Sequence, residues 1–170
     1  NDFYSTWLDR SMTYSSAIFA REDETLEAAQ GRKIDAILDR LNLADGSRLL
    51  EIGCGWGSLA EAALRRHNLD YRGITLSAEQ KAYVDKRLSD AGLAKNAKVT
   101  LTDYRDVTDI YDAIASVEMV EAVGQDYWPA YLDTIARSLK PRGRAAIQYI
   151  AIDDDIFEAY SRSADFIQRY

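Results

Sequence analysis

The sequence predicts an α/β protein, with a doubly wound and mostly parallel sheet and helices on both faces. Helical and strand patterns alternate along the chain, and strands joined by crossover helices form parallel sheets. The first strand pattern, 48–52, runs into a glycine-rich loop and then a helix. With 170 residues, 47% of them hydrophobic, we expect one core and one domain rather than two.

Each element follows from the spacing of apolar residues. In the first helix, Ile34, Ile37, Leu38 and Leu41 fall on one face, as a helical period requires. Short apolar runs that end in glycine or polar residues predict the strands. We predict helices at 25–42, 58–67, 78–91, 127–140 and 154–169, and strands at 48–52, 71–76, 97–102, 112–117 and 144–150.

The last two helices are defined by their ends. Pro129 falls in the first turn of helix 127–140, where a missing N–H is harmless, and Pro141-Arg142-Gly143 is predicted to stop that helix. Helix 154–169 follows the acidic run 153–155, which complements the positive end of the helix dipole. Side chains predicted to face the core in these two helices are Tyr131, Leu132, Ile135, Leu139, Ile156, Phe157, Tyr160, Ala164 and Ile167.

The two ends of the chain indicate a trimmed piece. Asn1 is not an initiator methionine, and no charged start precedes an apolar run, so we expect a cytoplasmic protein without a secretory signal. Tyr170 lies within a turn of the last helix, so we expect further strands of the sheet to follow it. We assign residues 1–24 to an N-terminal arm or lid and residues 25–170 to the main domain.

Charge and composition exclude several classes of function. Lys and Arg number 21 against 28 Asp and Glu, and the net charge of −7 argues against nucleic-acid binding. No apolar stretch reaches the ~18 residues that a membrane span needs. Cys54 is the only cysteine of the sequence, so it cannot form an intramolecular disulfide. One cysteine and one histidine, His67, are too few ligands for a structural metal site. We expect Cys54 to be a buried, inert thiol.

The loop after the first strand, Glu51 to Gly57, has glycines at alternate positions. Such glycines let the backbone turn sharply and approach a ligand at the carboxyl end of the strand. A dinucleotide fingerprint would need Gly or Ala at Ser58, and a P-loop would need Gly-Lys-Ser/Thr, and neither occurs. An uncharged or cationic nucleoside remains. Glu51 suits S-adenosylmethionine, which carries a sulfonium and an amino group, or it only ties down the loop.

Two further segments leave structural and functional interpretations open. Ser77 to Gln80 has the form of a capping box, and the same helix start is expected to face the ligand crevice. Glu118 and Glu121 follow strand 112–117, where carboxylates point into the crevice, although two surface acids would give the same pattern. By periodicity alone, residues 12–19 form a packing arm.

Seven motifs resemble the cyclopropane-fatty-acid synthase family, which includes the mycolic acid cyclopropane synthases and related lipid methyltransferases. They are YSSAIF at 14–19, LEAAQ at 26–30, LLEIGCGWGSLA at 49–60, GITLSAEQ at 73–80, DYRDV at 103–107, SVEMVEAVG at 116–124 and LKPRGRAAIQ at 139–148. The resemblance covers nearly the whole chain. It implies a Rossmann-like class I methyltransferase that binds S-adenosylmethionine and modifies the cis double bond of an unsaturated phospholipid acyl chain at the membrane surface, and it would allow a homodimer.

The resemblance also implies a role for each matching residue. For the cofactor, these are Glu51, Gly53 and Gly55 at the methionine side, Tyr14 and Ser15 closing over it, Thr75, Leu76 and Gln80 at the ribose and adenine, Tyr104 and Arg105 at the adenine edge, and Ser116 as the floor. Catalytic roles fall to Glu121, Tyr14, Ser16 and Gln148. In this scheme Glu121 holds a bicarbonate ion that takes a proton from the alkylated chain, and tyrosine rings stabilise the carbocation.

Three positions depart from the family pattern. Ser16 stands where many members have cysteine and Gln148 where they have histidine, although both can still hydrogen-bond an anion. Glu118 replaces a smaller residue and adds negative charge. The family's active-site tyrosine would lie after Tyr170. These changes match a branch that makes methyl- or methylene-branched fatty acids, so ring closure and branching both stay open.

Two other functions also stay open. A methyltransferase for a soluble small molecule would use the same cofactor loop with water-soluble acceptors. A cofactor-binding fragment or scaffold would bind S-adenosylmethionine without turnover.

Overall fold

The computed structural model describes residues 2–161, whose strands form one five-stranded sheet. The helices are α1 (Asp2–Ser5), α2 (Leu26–Leu41), α3 (Ser58–Arg66), α4 (Ala78–Asp90), α5 (Val120–Val123), α6 (Trp128–Arg137) and α7 (Asp154–Ser161). The strands are β1 (Arg48–Ile52), β2 (Asp70–Thr75), β3 (Ala97–Leu101), β4 (Tyr111–Val117) and β5 (Leu139–Gln148). Short 3₁₀ turns lie at Ala94–Asn96, Tyr104–Asp106 and Gln125–Tyr127.

All neighbouring strands pair in parallel, in the order β3-β2-β1-β4-β5. The strand order reverses between β1 and β4, and a ligand crevice is expected at the carboxyl ends of the strands at such a point. Leu49 and Leu50 of β1 and Ile114 and Ala115 of β4 are fully buried, as a sheet covered on both faces requires. The predicted α/β fold with a parallel sheet is confirmed.

An apolar layer lies on each face of the sheet. On one face, Leu38 of α2, Leu59 of α3 and Val84 of α4 pack together with side chains of the strands. On the other face, Tyr131 and Ile135 of α6 pack against the sheet. Each fully buried aliphatic side chain contributes roughly 1.5–3 kcal/mol, so these two layers hold the helices on the sheet and fix the edge where the strands end.

Helix α4 begins with half of the predicted capping box. Ser77 Oγ accepts a hydrogen bond from Gln80 N at 3.1 Å, as expected for an N-cap. The Gln80 side chain does not reach back to Ser77, because Gln80 Oε1 accepts from Thr75 Oγ1 at 2.6 Å. The helix start and the end of β2 are thereby joined through side chains.

The boundary between α6 and β5 corrects the prediction. The helix ends at Arg137 and the strand begins at Leu139, so the predicted helix 127–140 is too long and the predicted strand 144–150 starts too late. Tyr111 pairs with Leu139 and Ala113 with Arg144, which leaves extra residues in β5 between the two pairs. Pro141-Arg142-Gly143 is therefore a bulge, in which Arg142 has a φ of 68° and Pro141 has no N–H to donate.

Two predicted core residues are exposed. Leu132 is 53% exposed because it follows Tyr131, and adjacent helical residues point about 100° apart. Ile156 is 54% exposed for the same reason, beside the half-buried Phe157. The predicted end of that helix, 162–169, lies outside the described residues, together with Ala164, Ile167 and the side chain of Tyr160.

Gly57 starts α3 in a left-handed conformation, with a φ of 82°, and a Cβ there would lie 2.9 Å from Val84 Cγ1. Gly46 provides a matched control, because its φ is 83° and a Cβ there would meet nothing within 4 Å. We expect Gly46→Ala to lower the free energy of unfolding by about 1–2 kcal/mol through backbone strain. Gly57→Ala should lose a further ~1–3 kcal/mol through crowding against Val84. Urea unfolding measures both losses, and equal losses would contradict the close packing of α3 on α4.

Candidate functional site

A cavity of about 670 Å³ lies where β1, β2 and β4 end. Its volume is in the range of ~300–1,000 Å³ that is typical of small-molecule sites. The loop after β1, the start of α4, the turn Tyr104–Asp106 and the segment 12–15 contribute to its wall. The lining includes these residues predicted for the cofactor: Tyr14, Ser15, Glu51, Gly53, Gly55, Thr75, Leu76, Gln80, Tyr104 and Arg105.

The loop after β1 turns sharply because its glycines adopt positive φ, 78° at Gly53 and 50° at Gly55. Gly53 N and Cys54 N both donate to the Ile74 carbonyl, at 3.0 and 3.1 Å, which fixes the loop to β2. A Cβ on Gly53 would lie 2.3 Å from Met119 Sδ, so only glycine lets the loop pass this side chain. The backbone itself therefore forms one wall of the cavity.

Glu51 is a buried acid in this cavity, 3% exposed. The Tyr71 hydroxyl donates to Glu51 Oε2 at 2.5 Å. The Tyr71 side chain passes over Gly73, the residue of β2 that pairs with Glu51. A Cβ on Gly73 would lie 2.7 Å from the Tyr71 hydroxyl. Burial raises the pKa of Glu51 to about 8, while the Tyr71 hydrogen bond and the charge of Lys33 act in the opposite direction. An acid that is desolvated in this way gains stability from a cationic partner.

Lys33 is a lining residue that the sequence analysis missed. It is 3% exposed on the core face of α2, and its ammonium donates to Ser15 Oγ. Burial lowers the pKa of Lys33 to about 8, and the charges of Glu118, Glu51 and Asp9 oppose this shift. The signal in the sequence was its position four residues after Ala29 and four before Ile37, on the apolar stripe of the helix.

Polar groups meet at the start of α4. Thr75 is buried and donates to Gln80 Oε1, which leaves the NH₂ group of Gln80 free to donate to a ligand. Leu76 is 76% exposed at the rim. The capping and ligand-binding interpretations of this segment are therefore compatible, because Ser77 caps the helix while Gln80 lines the cavity.

The turn after β3 adds a charged and aromatic edge. Asp103 accepts from Arg105 Nε and Nη2 at 2.8 and 2.7 Å, and this pairing lowers the pKa of Asp103. The Arg105 guanidinium lies 5.8 Å from the Tyr104 ring centroid and 5.9 Å from that of Tyr127. Asp103 and Tyr127 also line the cavity and were not predicted, although Asp103 belongs to the DYRDV motif.

The N-terminal arm lies against the cavity through a few anchoring bonds. Gln30 Nε2 donates to the Ser15 carbonyl at 2.7 Å, and Thr13 Oγ1 donates to Ser58 Oγ at 2.8 Å. The Tyr14 ring is 61% exposed and contacts the ring of Tyr4 at a centroid distance of 5.1 Å. The backbone of this segment is thus held in place, while the Tyr14 ring is exposed at the rim of the cavity.

Ser116 lies beneath the cavity rather than on its wall. It is fully buried, donates to the Ile52 carbonyl at 3.0 Å and accepts from the Tyr131 hydroxyl at 2.6 Å. These bonds join β4 to β1 and to α6. Ser116 supports the floor without contacting the open space.

The predicted catalytic residues Ser16, Glu121 and Gln148 lie beside the cavity, in a group with Glu118 that we call the acid cluster. Ser16 N and Oγ donate to Glu118 Oε1 at 2.7 and 2.6 Å, and Gln148 Nε2 donates to the same oxygen at 2.9 Å. Glu121 Oε1 accepts instead from the backbone N–H of Ile150. Ser16 and Gln148 therefore converge on Glu118 and not on Glu121.

The acid cluster adjoins the cavity along the chain. Ser15, Val117 and Met119, which are sequence neighbours of Ser16 and Glu118, line the cavity. The site thus combines a buried acid that lines the cavity with a second carboxylate, Glu118, whose chain neighbours line the same cavity. Such a pair is suited to binding a positively charged group on one side and accepting a proton on the other.

Three further properties concern residues 2–161. Within that range, no group of three or more His, Cys, Asp or Glu side chains is placed to hold a metal ion. Burial and the neighbouring Glu51 raise the pKa of the Cys54 thiol, which disfavours the thiolate. Over the same range, the helices are too short or too polar to cross a membrane.

Comparison with known proteins gives consistent matches. The family model described as mycolic acid cyclopropane synthetase matches residues 1–170. A tuberculostearic acid methyltransferase of Mycobacterium tuberculosis H37Rv is 40% identical, over 100% of this chain and 41% of its own length. The cyclopropane-fatty-acyl-phospholipid synthase of Escherichia coli K12 is 40% identical, over 84% of this chain and 36% of its own length.

A solved structure agrees with these relatives. A mycolic acid cyclopropane synthase complexed with SAH and CTAB has a TM-score of 0.77 and 33% sequence identity, over 82% of this chain and 49% of that chain. The present chain spans about 40% of the length of the two curated relatives. Since the family model matches from the first residue to the last, the chain belongs to the mycolic acid cyclopropane synthetase family.

Proposed function

We propose that the protein transfers a methyl or methylene carbon from S-adenosylmethionine to the double bond of an unsaturated phospholipid acyl chain. The observation that carries this proposal is the buried Glu51 carboxyl in the cavity beside the glycine loop. S-adenosylmethionine brings a sulfonium and an ammonium, and cationic groups of this kind stabilise the charged form of a desolvated acid such as Glu51. The names of the relatives, a fatty acid methyltransferase and a fatty-acyl-phospholipid synthase, support the acyl substrate.

The lining residues fit this cofactor. A Cβ at Gly55 would meet nothing within 4 Å, so the loop leaves open space in front of its backbone. We assign Glu51 to the methionyl end, Thr75 and Gln80 to the ribose, and the turn with Tyr104 and Arg105 to the adenine. The related cyclopropane synthase structure, which is complexed with SAH, supports an adenosyl cofactor of this kind.

Residues 1–24 are proposed to close over the bound cofactor. The bonds from Gln30 and Lys33 to Ser15 and from Thr13 to Ser58 hold the arm beside the cavity. When bound, the cofactor supplies an electrophilic methyl group. The chain's own contribution is to hold the reactants in line, exclude water and offer the exposed Tyr14 ring to positive charge that develops on the acyl chain.

Contact with lipid at a membrane surface is proposed from the outer side of the same arm. Large apolar side chains there are exposed, among them Phe3 at 72% and Trp7 at 49%. Aromatic side chains of this kind favour the interface between water and lipid.

For the product, we propose a cyclopropane or a methyl- or methylene-branched chain. Bicarbonate is not used in this scheme, because Ser16 and Gln148, its implied ligands, already bind Glu118.

The lipids of cells that express the natural polypeptide containing this chain test the proposal. We expect phospholipid acyl chains that have gained one carbon at the former double bond, detected by mass spectrometry with position-resolved fragmentation. Glu51→Gln should abolish the product, and Glu27→Gln, which changes an exposed glutamate in the first turn of α2, should retain it. A wild-type protein that leaves the lipids unmodified while methylating a soluble acceptor would overturn the acyl assignment.

Cofactor binding can be measured independently of turnover. Replacing Glu51 by Gln removes a charge-assisted contact that is worth roughly 1.5–3 kcal/mol, so the affinity for S-adenosylmethionine should fall about 10- to 100-fold. Isothermal titration calorimetry at pH 8 measures this change, with Glu27→Gln as the control. Equal affinities of the wild type and Glu51→Gln would show that Glu51 only ties down the loop.

The raised pKa of Glu51 predicts how stability depends on pH without ligand. The folded protein holds the Glu51 proton up to about pH 8, whereas the unfolded chain loses it near 4.5, so the unfolded state binds fewer protons between these values. Stability therefore falls as pH rises from 5 to 8. Glu51→Gln should show a smaller fall, and its free energy of unfolding should exceed that of the wild type at pH 8.

Urea unfolding at pH 5, 6.5 and 8 measures this difference between the two proteins. The lowered pKa of Lys33, about 8, acts at higher pH, because its folded and unfolded states differ only between pH 8 and 10.5. Parallel curves for the wild type and the variant over pH 5 to 8 would contradict the raised pKa of Glu51.

A further inference from the structure

Glu118 has a backbone conformation that is unusual for its residue type. Its φ is 50°, in the left-handed region that favours glycine. The Glu118 N–H donates to the Gln148 carbonyl at 2.8 Å, so the two residues are joined through both backbone and side chain. Strained residues that the surrounding structure holds in place occur most often at functional sites.

Glu118 Oε1 accepts three hydrogen bonds at 2.6 to 2.9 Å, two from Ser16 and one from Gln148. Within residues 2–161, Glu118 Oε2 accepts none, so this oxygen is available to another group. The charge of Glu118 also favours the protonated form of the buried Lys33. The carboxylate is thus held in one orientation, with Oε1 bonded by Ser16 and Gln148 and with no donor to Oε2 within residues 2–161.

The residues present do not fit a bicarbonate ion. Ser16 and Gln148 are two of the ligands that the family resemblance implies for that ion, and both donate to Glu118. A second anion at the same donors would stand beside the Glu118 carboxylate, and like charges at close range repel. Ser16 and Gln148, which would donate to a bound bicarbonate, already donate to the Glu118 carboxylate.

We infer that Glu118 is the proton acceptor of this enzyme and takes the place of a bicarbonate ion. The inference rests on the proposed acyl-chain alkylation. After the methyl carbon has bonded to one alkene carbon, the other carries the positive charge. A C–H bond of the alkylated chain then breaks, its proton goes to a Glu118 oxygen, and its electron pair forms either the third bond of a cyclopropane ring or a C=C double bond. Glu118 afterwards releases the proton to water.

The neighbouring groups can serve both protonation states of Glu118. The Ser16 hydroxyl can donate to a carboxylate or accept from a carboxylic acid. The Gln148 amide can do the same after rotation, and its Oε1 is buried without a hydrogen-bond partner among the described residues.

The test compares wild type, Glu118→Gly and Glu118→Gln in the natural polypeptide that contains this chain. Glycine suits the left-handed φ and empties the site, whereas glutamine fills it without a basic oxygen. Each protein is assayed in carbon dioxide-free buffer, with and without bicarbonate, on vesicles of monounsaturated phosphatidylglycerol. Line broadening of [¹³C]bicarbonate by nuclear magnetic resonance reports ion binding apart from turnover, and calorimetry with S-adenosylmethionine reports that each variant is folded.

We expect the wild type to be insensitive to bicarbonate and not to bind it. Both variants should lose at least about 100-fold in product formation, in keeping with the loss of a general base. Glu118→Gly should bind [¹³C]bicarbonate and recover activity with it, and Glu118→Gln should do neither. Bicarbonate dependence of the wild type, or full activity of either variant without bicarbonate, would overturn this inference and leave the proposed function unaffected. A wild type that binds the cofactor but alkylates no lipid would overturn the proposed function, and the inference with it.

Discussion

The enclosed carboxyl of Glu51 is the constraint on which the rest of the site depends. β1 lies at the centre of the sheet between β2 and β4, so an acid near its end is cut off from water on every side but the cavity. The Tyr71 hydroxyl satisfies one oxygen only because Gly73 has no side chain in its path. Desolvation makes the charged form of Glu51 costly. A cation beside Glu51 would offset that cost.

The backbone around Glu51 shows how a parallel sheet is converted into a binding site. Where β1 and β4 end, the chain turns through residues with positive φ, at Gly53 and Gly55 after β1 and at Glu118 after β4. The first turn removes side chains, so that the backbone can approach a ligand. The turn after β4 keeps the Glu118 side chain despite the backbone strain, and Ser16 and Gln148 donate hydrogen bonds to that side chain. One edge of the sheet therefore carries a loop suited to a cofactor and a carboxylate suited to proton transfer.

Much of the fold could be predicted because buried parallel strands are continuous apolar runs and amphipathic helices have a fixed period. Leu49 and Leu50, or Ile34 and Leu38, show these patterns without any knowledge of their neighbours. The α6–β5 boundary could not be predicted, since the bulge at Arg142 depends on how β5 pairs with β4. Lys33 was missed because a lysine ordinarily indicates solvent. Ser16 binds whichever carboxylate the turn after β4 directs toward the arm. The spacing of Glu118 and Glu121 in the sequence does not decide between them.

Lys33 connects the two carboxylates electrostatically. It is the cation whose charged form both Glu51 and Glu118 favour, and its ammonium donates to Ser15, next to Ser16 on the arm. A cationic ligand beside Glu51 would change the charge that Lys33 balances, and the proposed proton uptake by Glu118 would do the same from the other side. Because Ser15 binds Lys33 and Ser16 binds Glu118, the segment that would cover the cofactor is bonded to the two groups whose interaction changes during the reaction. The proposed closure of the arm would therefore be coupled to the charge state of the site through the hydrogen bonds that Ser15 and Ser16 make.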